Sequence, residues 1–211
     1  MDILKPLDSK SATIFNEEFK SNIKLGFEAR KKNIPAKYLY DNRGRELFNE
    51  ITRHPDYYLT RVELDILETY KNEIAHSIGK ETFNLIDLGP GEGTKTEILI
   101  QEFLCNSLIF TYVPIDISQL YLKRLLGGFN SKFKKLISQG IHADYFSGLD
   151  WVCKTSAQRN LVLFLGSSIG NFEPETTKIF LRHLHQTLQH GDYIRSEERR
   201  VGKECLRLCR S

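Results

Sequence analysis

The chain has 211 residues, of which 40% are hydrophobic and 27% are charged. This composition is typical of a globular protein with one substantial domain and room for a small extension. The longest uninterrupted apolar run, at 161–165, is far shorter than a membrane span, and the first residues, MDILKPLDSK, lack the apolar segment of a secretory signal. We therefore expect a cytoplasmic protein with no membrane partner.

The net charge of +3 is concentrated at the end of the chain. Residues 195–211 contain six basic and three acidic side chains, which leaves residues 1–194 neutral. A neutral body argues against nucleic acid as a partner, because phosphate binding needs a basic surface. The four cysteines form no CxxC pair, and His142, His183 and His185 are isolated in the sequence. Neither a metal site nor a disulfide framework is predicted.

The first 80 residues are predicted to form a helical segment. An apolar residue at every fourth position indicates a helix over 12–29, with a stripe of Phe15, Phe19, Ile23 and Phe27. Pro35, residues 42–44 and Pro55 are expected to form loops around a short helix. Thr60 and Glu63 match a capping box, which predicts that the next helix begins there and runs to about residue 77.

Strands alternate with helices from about residue 83 to residue 190. Strands are predicted at 84–89, 108–118, 135–146 and 160–168, and helices at 94–104, 120–129 and 173–189. This alternation indicates an α/β fold, a doubly wound, Rossmann-like parallel sheet with helices on both faces and right-handed connections. The predicted organisation is a helical segment at 1–80, an α/β core at 81–193 and a basic tail at 194–211.

A glycine-rich turn follows the first predicted strand. It reads Asp87-Leu88-Gly89-Pro90-Gly91-Glu92-Gly93-Thr94-Lys95 and leads into a helix. Glycines let a ligand approach the backbone closely, and a helix N-terminus attracts an anion. The G-x-G-x-G spacing differs from the G-x-G-x-x-G of nicotinamide sites, and it favours a cofactor with an amino-acid tail over one with a pyrophosphate. The alternative is an ordinary tight turn between a strand and a helix.

Acidic residues follow the next two predicted strands. Asp116 is placed to accept hydrogen bonds from both hydroxyls of a ribose. Asp144, followed by Tyr145, is placed to meet an adenine amino group. Either aspartate alone could instead be a helix cap or a surface residue. However, the loops at the carboxyl ends of neighbouring parallel strands converge on one crevice, which favours a cofactor site.

Five stretches of the chain together resemble the L-histidine Nα-methyltransferases of ergothioneine biosynthesis. They are YLYDNRGRELF (38–48), YYLTR (57–61), the glycine-rich turn, PIDIS (114–118) and GSSIGNF (166–172). The resemblance extends from about residue 35 to residue 193. It implies a methyltransferase that uses S-adenosylmethionine as its cofactor. It also implies three successive methyl transfers to the α-amine of L-histidine, which give hercynine.

The resemblance also implies residue roles. The positions expected to contact the cofactor are Tyr57, Gly89, Gly91, Lys95, Asp116, Asp144 and Tyr145. Tyr40 and Asn171 match positions that hold the histidine substrate. No residue is expected to take part covalently, because methyl transfer by in-line displacement depends on positioning. Two alternatives stay open: Tyr40 as a buried structural tyrosine, and Asn171 as the N-cap of the helix that begins near Glu173.

The end of the chain departs from the family pattern. RSEERRVGKECLRLCRS (195–211) has no β pattern, and we expect a non-native-looking basic tail; a natural tail is the alternative. A sheet that is incomplete on this side would leave 161–165 near a sheet edge and prone to aggregation. The corresponding functional alternative is an inactive cofactor-binding fragment. A monomer is expected.

A hydrolase is a second functional alternative. Residues 166–170 match the G-x-S-x-G pattern of α/β-hydrolases, with Ser168 as the nucleophile. The helix predicted to begin near Glu173 starts too late for a nucleophile elbow, in which the serine lies at the turn itself. The methyltransferase interpretation is therefore favoured.

Overall fold

The computed structural model describes residues 2–5, 12–196 and 209–210, and the chain divides into two compact units. The smaller unit is Asp8–Arg61, and the larger unit combines Met1–Leu7 with Val62–Ser211. Within the described residues, no helix has both the length and the apolar character that crossing a membrane would require.

The smaller unit is helical in its described residues, whereas the predicted helical segment at 1–80 also included Asp2–Leu4, which form a strand of the larger unit. The smaller unit contains α1 (Ala12–Glu28), a 3-10 turn (Ala36–Leu39) and α2 (Asn42–Arg53). The carboxylate of Asp41 caps α2 by accepting a hydrogen bond from the Gly44 N–H at 2.7 Å. The loop predicted at 42–44 is therefore wrong, because an aspartate N-cap makes these residues the first turn of a helix.

Helix α3 (Tyr58–Ile78) belongs to the larger unit from Val62 onward. It buries Leu67, Ile74 and Ile78 in the core. Because α3 begins at Tyr58, Thr60 lies inside the helix and not at its N-cap. The predicted capping box is therefore wrong, and Glu63 is buried with other partners.

The larger unit is built on one sheet. Its strands are β1 (Asp2–Leu4), β2 (Phe83–Leu88), β3 (Phe110–Asp116), β4 (Ile137–His142), β5 (Arg159–Phe164), β6 (Tyr193–Ser196) and β7 (Cys209–Arg210). Their order is β1-β4-β3-β2-β5-β6-β7, and every neighbouring pair is parallel except β6 with β7. The predicted doubly wound α/β fold is confirmed.

Helices connect the strands and cover both faces of the sheet. They are α4 (Thr94–Cys105), α5 (Gln119–Lys132), α6 (Tyr145–Thr155) and α7 (Pro174–Thr187). Successive residues of β2 enter opposite cores: Leu85 packs in one cluster and Ile86 in the other. Such strands are apolar on both faces because helices cover both. Helix α6 was not predicted, and the strand predicted to run to residue 146 ends at His142.

Strand β5 lies inside the sheet and not at its edge. Strand β6 pairs with it, with Leu163 opposite Arg195 and Phe164 opposite Ser196. The prediction that the residues after Ile194 lack β structure is therefore wrong for Arg195 and Ser196, and also for Cys209–Arg210, which pairs with β6. Backbone pairing depends little on side-chain polarity, so a charged segment can extend a strand. The rest of the predicted tail, 197–208 and 211, lies outside the described residues.

Candidate active site

The carboxyl ends of the central strands lie side by side in the larger unit. Leu88 at the end of β2 is opposite Ile115, and Asp116 at the end of β3 is opposite His142. Strand β5 ends on the other side of β2. Ligands of doubly wound folds bind at this edge of the sheet, so the loops that follow these strands form the candidate site.

The glycine turn has an unusual backbone conformation. Gly89, Gly91 and Gly93 have φ angles of +70°, +59° and +75°, which side chains strongly disfavour. A Cβ atom on Gly91 would meet no atom within 4 Å, whereas one on Gly89 would lie 2.5 Å from the Tyr145 hydroxyl. The backbone at Gly91 is thus open to close approach. Helix α4 begins directly after the turn, with its N-terminal N–H groups next to this opening.

Asp87 is a buried carboxylate just before the glycine turn. It accepts hydrogen bonds from the hydroxyl of Thr96 and, at 3.1 Å, from that of Tyr112. Burial raises its pKa to about 6, although the two hydrogen bonds and the charge of Lys95 partly oppose that shift. Nothing in the sequence indicates this role for Thr96 and Tyr112. Their spacing of 9 and 25 residues from Asp87 has no recognisable motif.

Asp116 lies where the sequence predicted, at the end of β3. It is 3% exposed, and its Oδ1 accepts a hydrogen bond from the Ser118 N–H at 2.7 Å. The Ser118 hydroxyl in turn accepts from the Tyr121 N–H at the start of α5. These local bonds hold the carboxylate at the strand end, where a buried acceptor suits a ligand with hydroxyl groups.

Asp144 and Tyr145 begin α6, after β4. The carboxylate of Asp144 is the N-cap and accepts from the N–H and the hydroxyl of Ser147, at 3.0 and 2.8 Å. The helix-cap alternative is thus confirmed for Asp144, while its contact with a cofactor stays a prediction. The Tyr145 ring packs edge-on against Phe164, with 5.4 Å between centroids, and its hydroxyl lies against Gly89.

Lys95, in the first turn of α4, forms an ion pair with Glu63. The carboxylate of Glu63 also accepts a hydrogen bond from the Gly166 N–H at 2.7 Å. The sequence pattern predicts only a capping-box position for Glu63. Its partners are 32 and 103 positions further along the chain, so no local pattern could have identified them.

The loop after β5 carries Asn171. It begins with two left-handed residues, Gly166 (φ +77°) and Ser167 (φ +55°), and continues as a 3-10 turn, Ser168–Asn171. Glu173 is the N-cap of α7, followed by Pro174. The alternative of Asn171 as this N-cap is therefore wrong, and its contact with a substrate stays a prediction.

The contacts of Ser168 do not favour the hydrolase alternative. Its hydroxyl donates to the Leu165 carbonyl at 3.0 Å, and its backbone is not left-handed. His183, within the described part of the chain, has its Nε2 atom 2.9 Å from Oδ1 of Asp150. No described contact joins Ser168 to a histidine, as a hydrolytic triad requires.

Tyr40 and Tyr57 belong to the smaller unit. Both pack edge-on against Phe48, at centroid distances of 5.9 and 6.1 Å. The Tyr40 carbonyl accepts a hydrogen bond from the Arg45 guanidinium at 2.9 Å. Their predicted ligand contacts stay predictions. Within residues 2–5, 12–196 and 209–210, no group of three or more His, Cys, Asp or Glu side chains is arranged to hold a metal ion.

Comparison with known proteins supplies a family. Residues 19–194 match the family described as histidine-specific methyltransferase, SAM-dependent. The histidine N-alpha-methyltransferase of Mycolicibacterium smegmatis is 34% identical over 178 residues, which are 84% of this chain and 54% of that protein. The 4-dimethylallyltryptophan N-methyltransferase easF of Claviceps purpurea is 30% identical over 188 residues, with 87% and 54% covered. The chain spans about half the length of these relatives.

Proposed function

The chain belongs to the SAM-dependent family of histidine-specific methyltransferases. We propose that it acts as an enzyme that transfers methyl groups from S-adenosylmethionine to the α-amine of L-histidine. Three transfers give hercynine, the trimethylated betaine of ergothioneine biosynthesis. The proposal depends most on one arrangement: the left-handed glycine turn, which begins after the buried Asp87, with the buried Asp116 at the end of the neighbouring strand.

The chemistry of these residues fits the parts of S-adenosylmethionine. The open backbone at Gly91 and the N-terminus of α4 suit its carboxylate tail. Asp116 suits the two ribose hydroxyls, and Asp144 with Tyr145 suits the adenine. Gly89, Lys95 and Tyr57 are the further proposed contacts. When bound, the cofactor supplies a methyl group activated by the sulfonium.

The chain's own contribution to the reaction is positioning. Tyr40 and Asn171 are proposed to hold the carboxylate and amine of histidine, so that the neutral amine points along the axis of displacement. Such orientation can supply about 7–11 kcal/mol of the barrier. No covalent intermediate on the protein is needed. We propose a monomer that acts on a small molecule.

Methylation of histidine is the first expected result. Incubating the purified chain with L-histidine and S-adenosylmethionine should give mono-, di- and trimethylated histidine. Mass spectrometry detects the three products. Tryptophan and 4-dimethylallyltryptophan form the comparison, because a relative named for the latter substrate is almost as similar as the one named for histidine. Methylation of a tryptophan derivative but not of histidine would show that histidine is the wrong substrate, while the assignment as a methyltransferase would stand.

Cofactor affinity should depend on Asp116. Asp116→Ala removes a buried acceptor, and hydrogen bonds to charged groups contribute about 1.5–3 kcal/mol. We expect the Kd for S-adenosylmethionine to rise at least tenfold in titration calorimetry. Asp65→Ala, an exposed aspartate on α3, is the control and should bind like the unmodified chain. Equal affinity of the two variants would remove Asp116 from the site.

A further inference from the structure

Glu63 is a buried carboxylate outside the sequence motifs. It is 4% exposed and lies on α3, before the sheet of the larger unit continues at β2. Removing a carboxylate from water costs a large amount of free energy unless its oxygens are paired with charged groups or hydrogen-bond donors. Here each oxygen has a partner from a different element. Oε2 pairs with the Lys95 ammonium in α4, and Oε1 accepts from the Gly166 N–H after β5.

These two partners lie on the two segments that the proposed reaction must hold together, the N-terminus of α4 and the loop after β5. Lys95 lies two residues after Gly93, the last glycine of the turn, and Gly166 opens the loop that carries Asn171. The two partners also lie close together, because a Cβ atom added to Gly166 would lie only 2.9 Å from the Lys95 ammonium nitrogen. The carboxylate of Glu63 therefore joins the cofactor side of the site to the substrate side.

The Gly166 loop needs such an anchor. Gly166 and Ser167 are consecutive left-handed residues, and a serine in this region is disfavoured unless surrounding contacts hold it. The Gly166 N–H donates a hydrogen bond to the Glu63 carboxylate at the start of this left-handed pair. Losing it would release the backbone just upstream of Asn171.

We propose that Glu63 is a positioning residue for methyl transfer. It fixes Lys95 through one carboxylate oxygen and the Gly166–Asn171 loop through the other. This role rests on the proposed methyltransferase function. In-line transfer needs the methyl donor and the amine in close alignment, and small misplacements are costly. Glu63 touches neither ligand and acts through the residues it holds.

Two substitutions separate the two contacts. Glu63→Gln keeps an oxygen for the Gly166 N–H but removes the charge that holds Lys95. It should raise the cofactor Kd about tenfold and leave the KM for histidine within about twofold. Glu63→Ala removes both contacts and should raise the Kd and the KM, each about tenfold. A purely structural role would lower the melting temperature of both variants without this split.

Hydrogen exchange at the Gly166 amide tests the anchor without any activity. Protection should be lost in Glu63→Ala and kept in Glu63→Gln. The control is Glu102→Gln, at the other end of α4, where the carboxylate accepts from the Asn106 side chain at 2.7 Å; it should change neither exchange at Gly166 nor binding. Unchanged protection in Glu63→Ala overturns the inference whether or not the chain is active. Failure of the unmodified chain to bind the cofactor or to methylate an amino acid would instead reject the proposed function.

Discussion

Gly93→Ala is expected to destabilise the folded chain by about 2–5 kcal/mol. The φ angle of Gly93 is +75°, a conformation that costs a side-chain-bearing residue about 1–2 kcal/mol. The added Cβ would also overlap the Leu125 side chain and lie 2.7 Å from Phe129 Cζ. Both neighbours are buried on α5, and forcing extra volume into a packed core typically costs about 1–3 kcal/mol more.

Gly79→Ala is the matched control for this substitution. Gly79 has nearly the same φ angle, +76°, but a Cβ there would meet no atom within 4 Å. The Gly79→Ala variant should therefore lose only the free energy that the left-handed backbone conformation costs an alanine, about 1–2 kcal/mol. Urea unfolding of the two variants measures the difference. Equal losses would show that the glycine turn is not packed tightly against α5, and that Gly93 is required only for its backbone conformation.

The central sheet could be predicted because its signals are local. The runs at 84–89 and 160–168 are apolar and bounded by glycine, and each is followed by a helical pattern, which is how strands covered on both faces appear in a sequence. The glycine turn and Asp116 could be located for the same reason. A doubly wound fold brings the carboxyl ends of successive strands together, so their positions in the sequence predict their neighbourhood.

The elements that were missed depend on context. Tyr145 and Phe146 continue an aromatic, β-prone run after β4, which hid α6. The cap signal of Asp144 with Ser147 was the available clue. Strand β6 includes Arg195 and Ser196 because it pairs with β5, a partner more than 30 positions away. Glu63 could not be assigned for a similar reason, since its contacts with Lys95 and Gly166 are distant in sequence.

Asp87 is expected to make the folded chain less stable as the pH rises from about 4 to about 6. Burial raises the pKa of its carboxyl group from 3.8 to about 6. In this window the unfolded chain has lost the proton that the folded chain still binds, so rising pH favours unfolding. Below the window both states are protonated and the penalty is absent; above it the full penalty of about 3 kcal/mol applies.

Two substitutions should change this profile in opposite directions. Asp87→Asn keeps an oxygen for the Thr96 and Tyr112 hydroxyls but has no charge to bury. It should therefore abolish the loss of stability between pH 4 and pH 6 and make the chain more stable at pH 7. Thr96→Val removes a hydrogen bond that lowers the pKa of Asp87, so the loss of stability should extend to higher pH. The measurement is the free energy of unfolding in urea from pH 4 to pH 8, for each variant and for the unmodified chain. Taking the difference cancels the pH dependence that comes from all other titratable groups. A constant difference for Asp87→Asn across that range would mean that the carboxylate ionises equally easily in the folded and unfolded states. Burial of the Asp87 carboxylate would then not reduce the free energy of unfolding. A functional role would not be needed to explain why a buried acid is found before the glycine turn.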